Sequence, residues 1–290
     1  MTPRRCTHRR RAEALRIGAT LALLLAGCGS APPPQNPAQH SAGTLAQAGA
    51  RAWARGDAAQ ARALYERALA AAESVEDFDL AGAMLLNLAL VQGSTGDLAG
   101  AQARVDRIVA APQRYGDALL ARAATRKALL YLDTPDSDAA LQWAARAQAA
   151  CTAPCALDAT LGNLRAHVAL QRGDARGALQ WATQAVARSD DGSAERANAW
   201  RLSGQAQRAL GQGDAAASAL AQALAIDRRL GSSDRIALDL TAAAENEATR
   251  GNSAAAREFY QRAIEVQRAA GRTAAADLLQ QRLAALPAQR

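Results

Sequence analysis

The chain has 290 residues, half of them hydrophobic but only 3% aromatic, with four cysteines and a formal net charge of +7. That length can bury a sizeable core, and the scarcity of aromatics requires the core to be built from small and aliphatic side chains. Six of the 34 basic residues and one of the 27 acidic ones precede Cys28, leaving 28 against 26, a net of +2, so the charge gives no ground for a nucleic-acid partner.

Residues 1–27 read as a cleaved leader. Arg4, Arg5, Arg9, Arg10, Arg11 and Arg16 make it basic, and the apolar run 17–25 is too short to span a bilayer. It ends in Leu25-Ala26-Gly27-Cys28. Small residues before a cleavage point mark a signal peptide. This tetrapeptide resembles a bacterial lipobox, which implies that Cys28 becomes an acylated N-terminus. The alternative is an ordinary signal peptide with an incidental cysteine. Gly29 and Ser30 lack the Asp that retains some lipoproteins at the inner membrane, so the resemblance implies a lipid anchor in the outer membrane, facing the periplasm. Residues 28–41, with prolines at 32, 33, 34 and 37, read as an extended tether. At about 3.1 Å per residue it would reach roughly 30 to 40 Å from the lipid.

From residue 42 the pattern is helical throughout. Helix pairs are predicted at 42–54 and 57–72, 77–94 and 97–110, 116–132 and 137–150, 155–171 and 174–188, 194–210 and 214–229, and 233–249 and 252–269. No run alternates like a strand. A last helix from Thr273 to Leu286 places Leu278, Leu279, Leu283 and Leu286 at helical spacing, as a cap on the sixth pair (271–290).

The pairs are copies of one another. Gly56, Gly96, Pro135, Gly173, Gly211 and Gly251 stand 40, 39, 38, 38 and 40 residues apart. Five residues after each stands an alanine, from Ala61 to Ala256; seven before each stands Gly49, Ala89, Ala128, Ala166, Gly204 or Ala244. Ala140-Leu141-Gln142-Trp143-Ala144 recurs 38 residues later as Ala178-Leu179-Gln180-Trp181-Ala182. A fixed period of this size signals a solenoid, and small residues on both sides of a turn let two antiparallel helices approach closely.

Leu88-Ala89, Gly96-Asp97 and Ala101, with their counterparts Gly56-Asp57, Ala61, Tyr65 and Ala68 and Trp200, Gly204, Gly211, Ala216 and Ala223, resemble the tetratricopeptide repeat. The resemblance covers residues 42–270 and implies an all-α, right-handed superhelical solenoid of six hairpins plus a capping helix. The unit departs from the family's 34 residues, which points to longer helices. The third unit has Pro135 for glycine and Lys127 where leucine is expected, so its register is open by one residue.

The resemblance implies a protein or peptide partner held in the concave groove. Arg122 and Arg126, four apart on one helix face, could hold a carboxylate through charge-assisted hydrogen bonds, with Asn87 on the preceding pair. In the branch of the family that grips C-terminal carboxylates, similar positions carry Asn and two basic residues. Its first-pair Lys and Asn are here Ala46 and Ala50, and solvated surface arginines are the alternative reading. Asn163, His167, Asn198, Arg201, Gln205 and Arg208 continue a polar strip along the later first helices. Trp143 and Trp181 are expected to pack between repeats.

Cys151 and Cys155 read as a disulfide in an oxidising compartment, or as a free pair. No Cys, Asp or second His stands at ligand spacing from His167 in the sequence, and no catalytic order or phosphate loop stands out, so no cofactor, metal or catalytic residue is expected. The sequence thus reads as an envelope scaffold or adaptor, with a self-associating structural lipoprotein or a regulatory subunit as alternatives; its oligomeric state stays open.

Overall fold

Aspartates and glycines at the turns set the helix starts. Gly96 adopts φ +85°, a conformation that costs a residue with a Cβ, and Gly56, Gly173, Gly211 and Gly251 share it. The next residue caps the second helix of the pair. Asp57, Asp97, Asp136 and Asp174 each accept a hydrogen bond from the backbone N–H three residues on. In the last two pairs Gln212 and Asn252 hold that place without a side-chain cap.

The computed structural model describes residues 36–132, 134 and 136–287. Among them lie thirteen helices and no strand: α1 (Pro37–Ala54), α2 (Ala58–Glu73), α3 (Phe78–Ser94), α4 (Leu98–Val109), α5 (Pro112–Tyr131), α6 (Ser137–Ala150), α7 (Asp158–Gln171), α8 (Ala175–Arg188), α9 (Ala194–Ala209), α10 (Gly213–Leu230), α11 (Ser233–Thr249), α12 (Ser253–Ala269) and α13 (Thr273–Ala284). The expected six pairs and final helix are all present. The leader, Cys28 and most of the expected tether lie outside the described residues, as does Pro135.

Three boundaries differ from expectation. The helix begins at Pro37, not after residue 41, because proline is tolerated in the first turn, where its missing N–H would have no helical acceptor. α5 likewise begins early, at Pro112, but breaks at Gly116, whose φ of 74° and ψ of 168° are not helical. α7 begins at Asp158, because the Cys151–Cys155 segment forms a turn of its own. The third pair keeps the expected register, since Asp136 caps α6 by accepting from Ala139 N at 3.0 Å.

The first helices of the pairs touch one another, α3 with α5, α5 with α7, α7 with α9 and α9 with α11. Among the described residues no two second helices come as close through their backbones. Crowded first helices and splayed second helices curve the stack, with the first helices on its inner side. Within a pair the packing relies on small residues: a Cβ on Gly49 would lie 2.7 Å from the Tyr65 ring. The core is mostly alanine and leucine, and Leu85, Leu88, Leu161 and Leu240 are its largest fully buried aliphatic side chains apart from Ile108 and Leu164.

The splayed second helices are bridged by long ion pairs across repeats. Arg104 of α4 reaches Glu66 of α2 at 3.0 Å, and Arg107 reaches Glu73; Arg172, at the end of α7, reaches Asp138 of α6 at 2.6 Å. Exposed pairs of this kind contribute little singly. Lys127, in a leucine position, ion-pairs with Asp106 and lies 4.3 Å from the Trp143 ring centroid. The same arrangement recurs 38 residues on, where Arg165 lies 5.0 Å from the Trp181 ring. The two tryptophans therefore act in helix packing, as half-buried platforms for a cation.

At the C-terminal end Ala276, Leu279 and Leu283 of α13 bury against Tyr260, Ile264 and Leu240. Leu278 does not join them and stays 53% exposed. Arg257 holds the end of the chain by donating to the carbonyls of Leu286 and Pro287 at 3.0 and 2.9 Å.

Candidate functional site

Residues of the predicted strip fall into two groups, separated by what their side chains touch. Arg122 and Arg126 lie one turn apart on α5, at the inner side of the stack. Arg122 is exposed and Arg126 half-buried. Between them Thr125 is buried and satisfies itself by donating to Ala121 O at 2.9 Å. No carboxylate forms an ion pair with either arginine among the described residues. Burial, and next the positive charge of Arg122, hold the Arg126 guanidinium below its usual pKa. Here a cation has lost much of its water and gained no counter-ion. A carboxylate delivered from outside would supply one, in the bidentate geometry a guanidinium favours. Asn87 on α3, His167 on α7 and Gln205 on α9 are half-buried on neighbouring first helices.

The other group is occupied within the stack, and for two of its members, Asn163 and Arg201, burial corrects the groove assignment. Asn163 is buried, and its Nδ2 donates to Glu195 O at 2.8 Å, tying α7 to α9. Arg201 is buried rather than lining a groove. It donates to Asp239 Oδ1 at 2.8 Å, contacts Asp227 Oδ2 at 3.5 Å, and donates to Asn198 Oδ1 at 2.7 Å. Arg235 completes the cluster at 2.8 Å from Asp227. Arg208 donates to Glu245 at 3.1 Å, and Arg282 of α13 reaches the same carboxylate at 3.3 Å. The physical reason is the same each time. A polar group of the following pair, a backbone carbonyl for Asn163 and a carboxylate for Arg201 and Arg208, supplies the partner that solvent or a ligand would otherwise supply.

Sequence reasoning passed over Leu238 on α11, an apolar side chain 54% exposed. Its counterpart one repeat on is Leu278 of α13, also half-exposed, and the 40-residue interval from Leu278 is the signal that could have found it.

Cys151 and Cys155 form a disulfide, with Cα atoms 5.5 Å apart, in the segment joining the third and fourth pairs. Among the described residues no cluster of three or more His, Cys, Asp or Glu could hold a metal ion, and no helix is long and apolar enough to cross a membrane.

No family model and no curated protein matches the sequence. Solved structures match it in fold. A chain of the Cut9–Hcn1 hetero-tetramer of the APC/C superposes with a TM-score of 0.65 at 17% identity, over 84% of this chain and 43% of that one. A Rap protein complexed with competence and sporulation factor superposes at 0.60 and 13% identity, over 82% and 69%. A tetratricopeptide repeat protein from Parabacteroides merdae does so at 0.50 and 14%, over 87% and 95%. The chain spans less than half the length of the Cut9–Hcn1 chain. At these identities the likeness is one of fold, and the fold is the all-α tetratricopeptide-repeat solenoid.

Proposed function

We propose, from its tetratricopeptide-repeat fold, that this chain is a non-enzymatic scaffold of the bacterial envelope that docks an acidic segment of a protein partner on the inner face of its third pair. The observation that carries the reading is Arg126. It is a half-buried cation without a counter-ion among the described residues, next to an exposed second arginine, while Arg201 and Arg208 on later first helices are neutralised by aspartate or glutamate. A partner carboxylate would relieve the desolvated charge, which is a gain an already paired arginine could not offer. That a Rap protein of like fold is seen complexed with a factor supports binding as a use of such a stack.

The envelope part of the proposal rests on the leader and on Leu25-Ala26-Gly27-Cys28. A lipid on Cys28 would anchor the chain to the outer membrane with the solenoid in the periplasm. Cys28→Ala should move the protein from the membrane to the soluble fraction; unchanged sedimentation with membranes would refute the anchor.

Photocrosslinking in the native envelope tests the docking. A probe at His167, a neighbouring inner position that leaves Arg126 in place, should capture a partner that a probe at Gln222, exposed on the second helix α10, does not. Equal capture at both would refute the groove. Capture of a second copy of this chain alone would instead favour self-association, the reading that exposed Leu278 on the last helix supports.

A further inference from the structure

The joint between the fifth and sixth pairs contains two fully buried carboxylates, Asp227 on α10 and Asp239 on α11. Two arginines face them. Arg201 of α9 lies against both, at 3.5 Å from Asp227 and 2.8 Å from Asp239. Arg235 of α11 lies 2.8 Å from Asp227. Asn198 of α9 accepts from Arg201 and brings no donor to the carboxylates. Among the described residues no charged group of α12, on the other side of α11, forms an ion pair or hydrogen bond with either aspartate.

The hydrogen bonds are unequally shared. Asp227 receives Arg235 on one oxygen and Arg201 on the other. Asp239 receives Arg201 on Oδ1, and its Oδ2 is buried with no donor. A bare carboxylate oxygen in that position is costly, and a second carboxylate beside it increases the cost. A proton on Oδ2 removes both penalties, because Asp239 can then donate to Asp227.

We propose that Asp227 and Asp239 share one proton and that this proton makes the docking of the sixth pair on the fifth sensitive to pH near neutrality. Burial is the largest cause acting on Asp239, opposed by Arg201 and reinforced by Asp227, and together they push it up to about 7. The folded chain therefore holds a proton that the unfolded chain, with an ordinary aspartate, releases at lower pH. The stabilisation is complete below the ordinary aspartate range and is lost as the pH rises through about 7. α11 also carries Glu245, which joins Arg208 to Arg282, so loosening of this joint reaches the inner wall of the last repeats.

The test is the thermal midpoint of the full chain from pH 5 to pH 9, for the wild type and for Asp239→Asn. The amide keeps the shape of the protonated acid and can donate to Asp227. The wild type should lose several degrees across neutrality, and Asp239→Asn should lose markedly less over the same interval. Parallel profiles would overturn the proposal. Should the variant fail to fold, carboxyl infrared spectra of the wild type decide. A protonated buried carboxyl at pH 5.5 that disappears by pH 8.5 is expected, and full ionisation at pH 5.5 would overturn the shared proton.

Discussion

Gly204 lies so close to Leu220 that a Cβ added to it would stand 2.6 Å from Leu220 Cγ and 3.2 Å from the Ala216 carbonyl oxygen. The two residues hold α9 against α10 at the distance that the repeat's small positions set. Gly204→Ala should therefore destabilise the chain, although alanine is the better helix former, because Leu220 must leave its place and the Ala216 backbone cannot. Overpacking of this kind costs about 1–3 kcal/mol. Urea unfolding should show a lower midpoint; a variant as stable as wild type would mean that the helices can separate freely here.

Arg201 and Arg122 look alike in the sequence and should behave oppositely. Removing one partner of a buried ion pair leaves an uncompensated charge and costs about 3–5 kcal/mol. Arg201→Ala does this to Asp239, while Asp227 keeps Arg235. Arg122 is exposed and no ion pair reaches it among the described residues, so Arg122→Ala should stay within about 0.5 kcal/mol of wild type. Equilibrium unfolding of both variants at pH 8 checks the contrast, and equal losses would refute it.

Those two arginines also mark where the sequence stops being readable. Periodicity is a local property of the chain, and it located the pairs and the glycine turns, because those depend on neighbours a few residues away. It placed Arg201 on a first helix correctly. Its burial depends on Asp239, one repeat further on, and on Asp227 at the end of the intervening helix. Arg201 and Asp239 stand 38 residues apart, so a search for opposite charges one period apart would have suggested the pair, as it would Arg104 with Glu66. The helix at Pro37 was missed for another reason. Proline was read as a breaker, when at a helix start it has no acceptor to lose.

The Cys151–Cys155 disulfide closes a loop of a few residues, so its effect on the unfolded chain is small. The loop-entropy relation gives about 2 kcal/mol for a ring of this size. Replacing both cysteines by serine should lower stability by that amount or less, and the helix content by circular dichroism should not change. Loss of the folded state would show that the segment between α6 and α7 does more than close a loop.

Arg126 decides between a groove and an ordinary wall. A structural arginine is held by acceptors, and its removal leaves them unpaired. Among the described residues no carboxylate pairs with Arg126, which is disfavoured by burial and faces the like charge of Arg122. Arg126→Met keeps most of the apolar stem and removes the desolvated charge, so stability should hold or rise while partner capture from the inner face falls. Arg122→Glu supplies a counter-ion from within, at a helix spacing worth about 0.3–0.5 kcal/mol. It should raise stability slightly and also suppress capture, because the partner's carboxylate then meets a negative charge. Stability comes from urea unfolding and capture from crosslinking at a neighbouring inner position, His167. A loss of more than about 1 kcal/mol in Arg126→Met would make this arginine part of the scaffold's own packing. Undiminished capture in both variants would place the partner elsewhere on the stack.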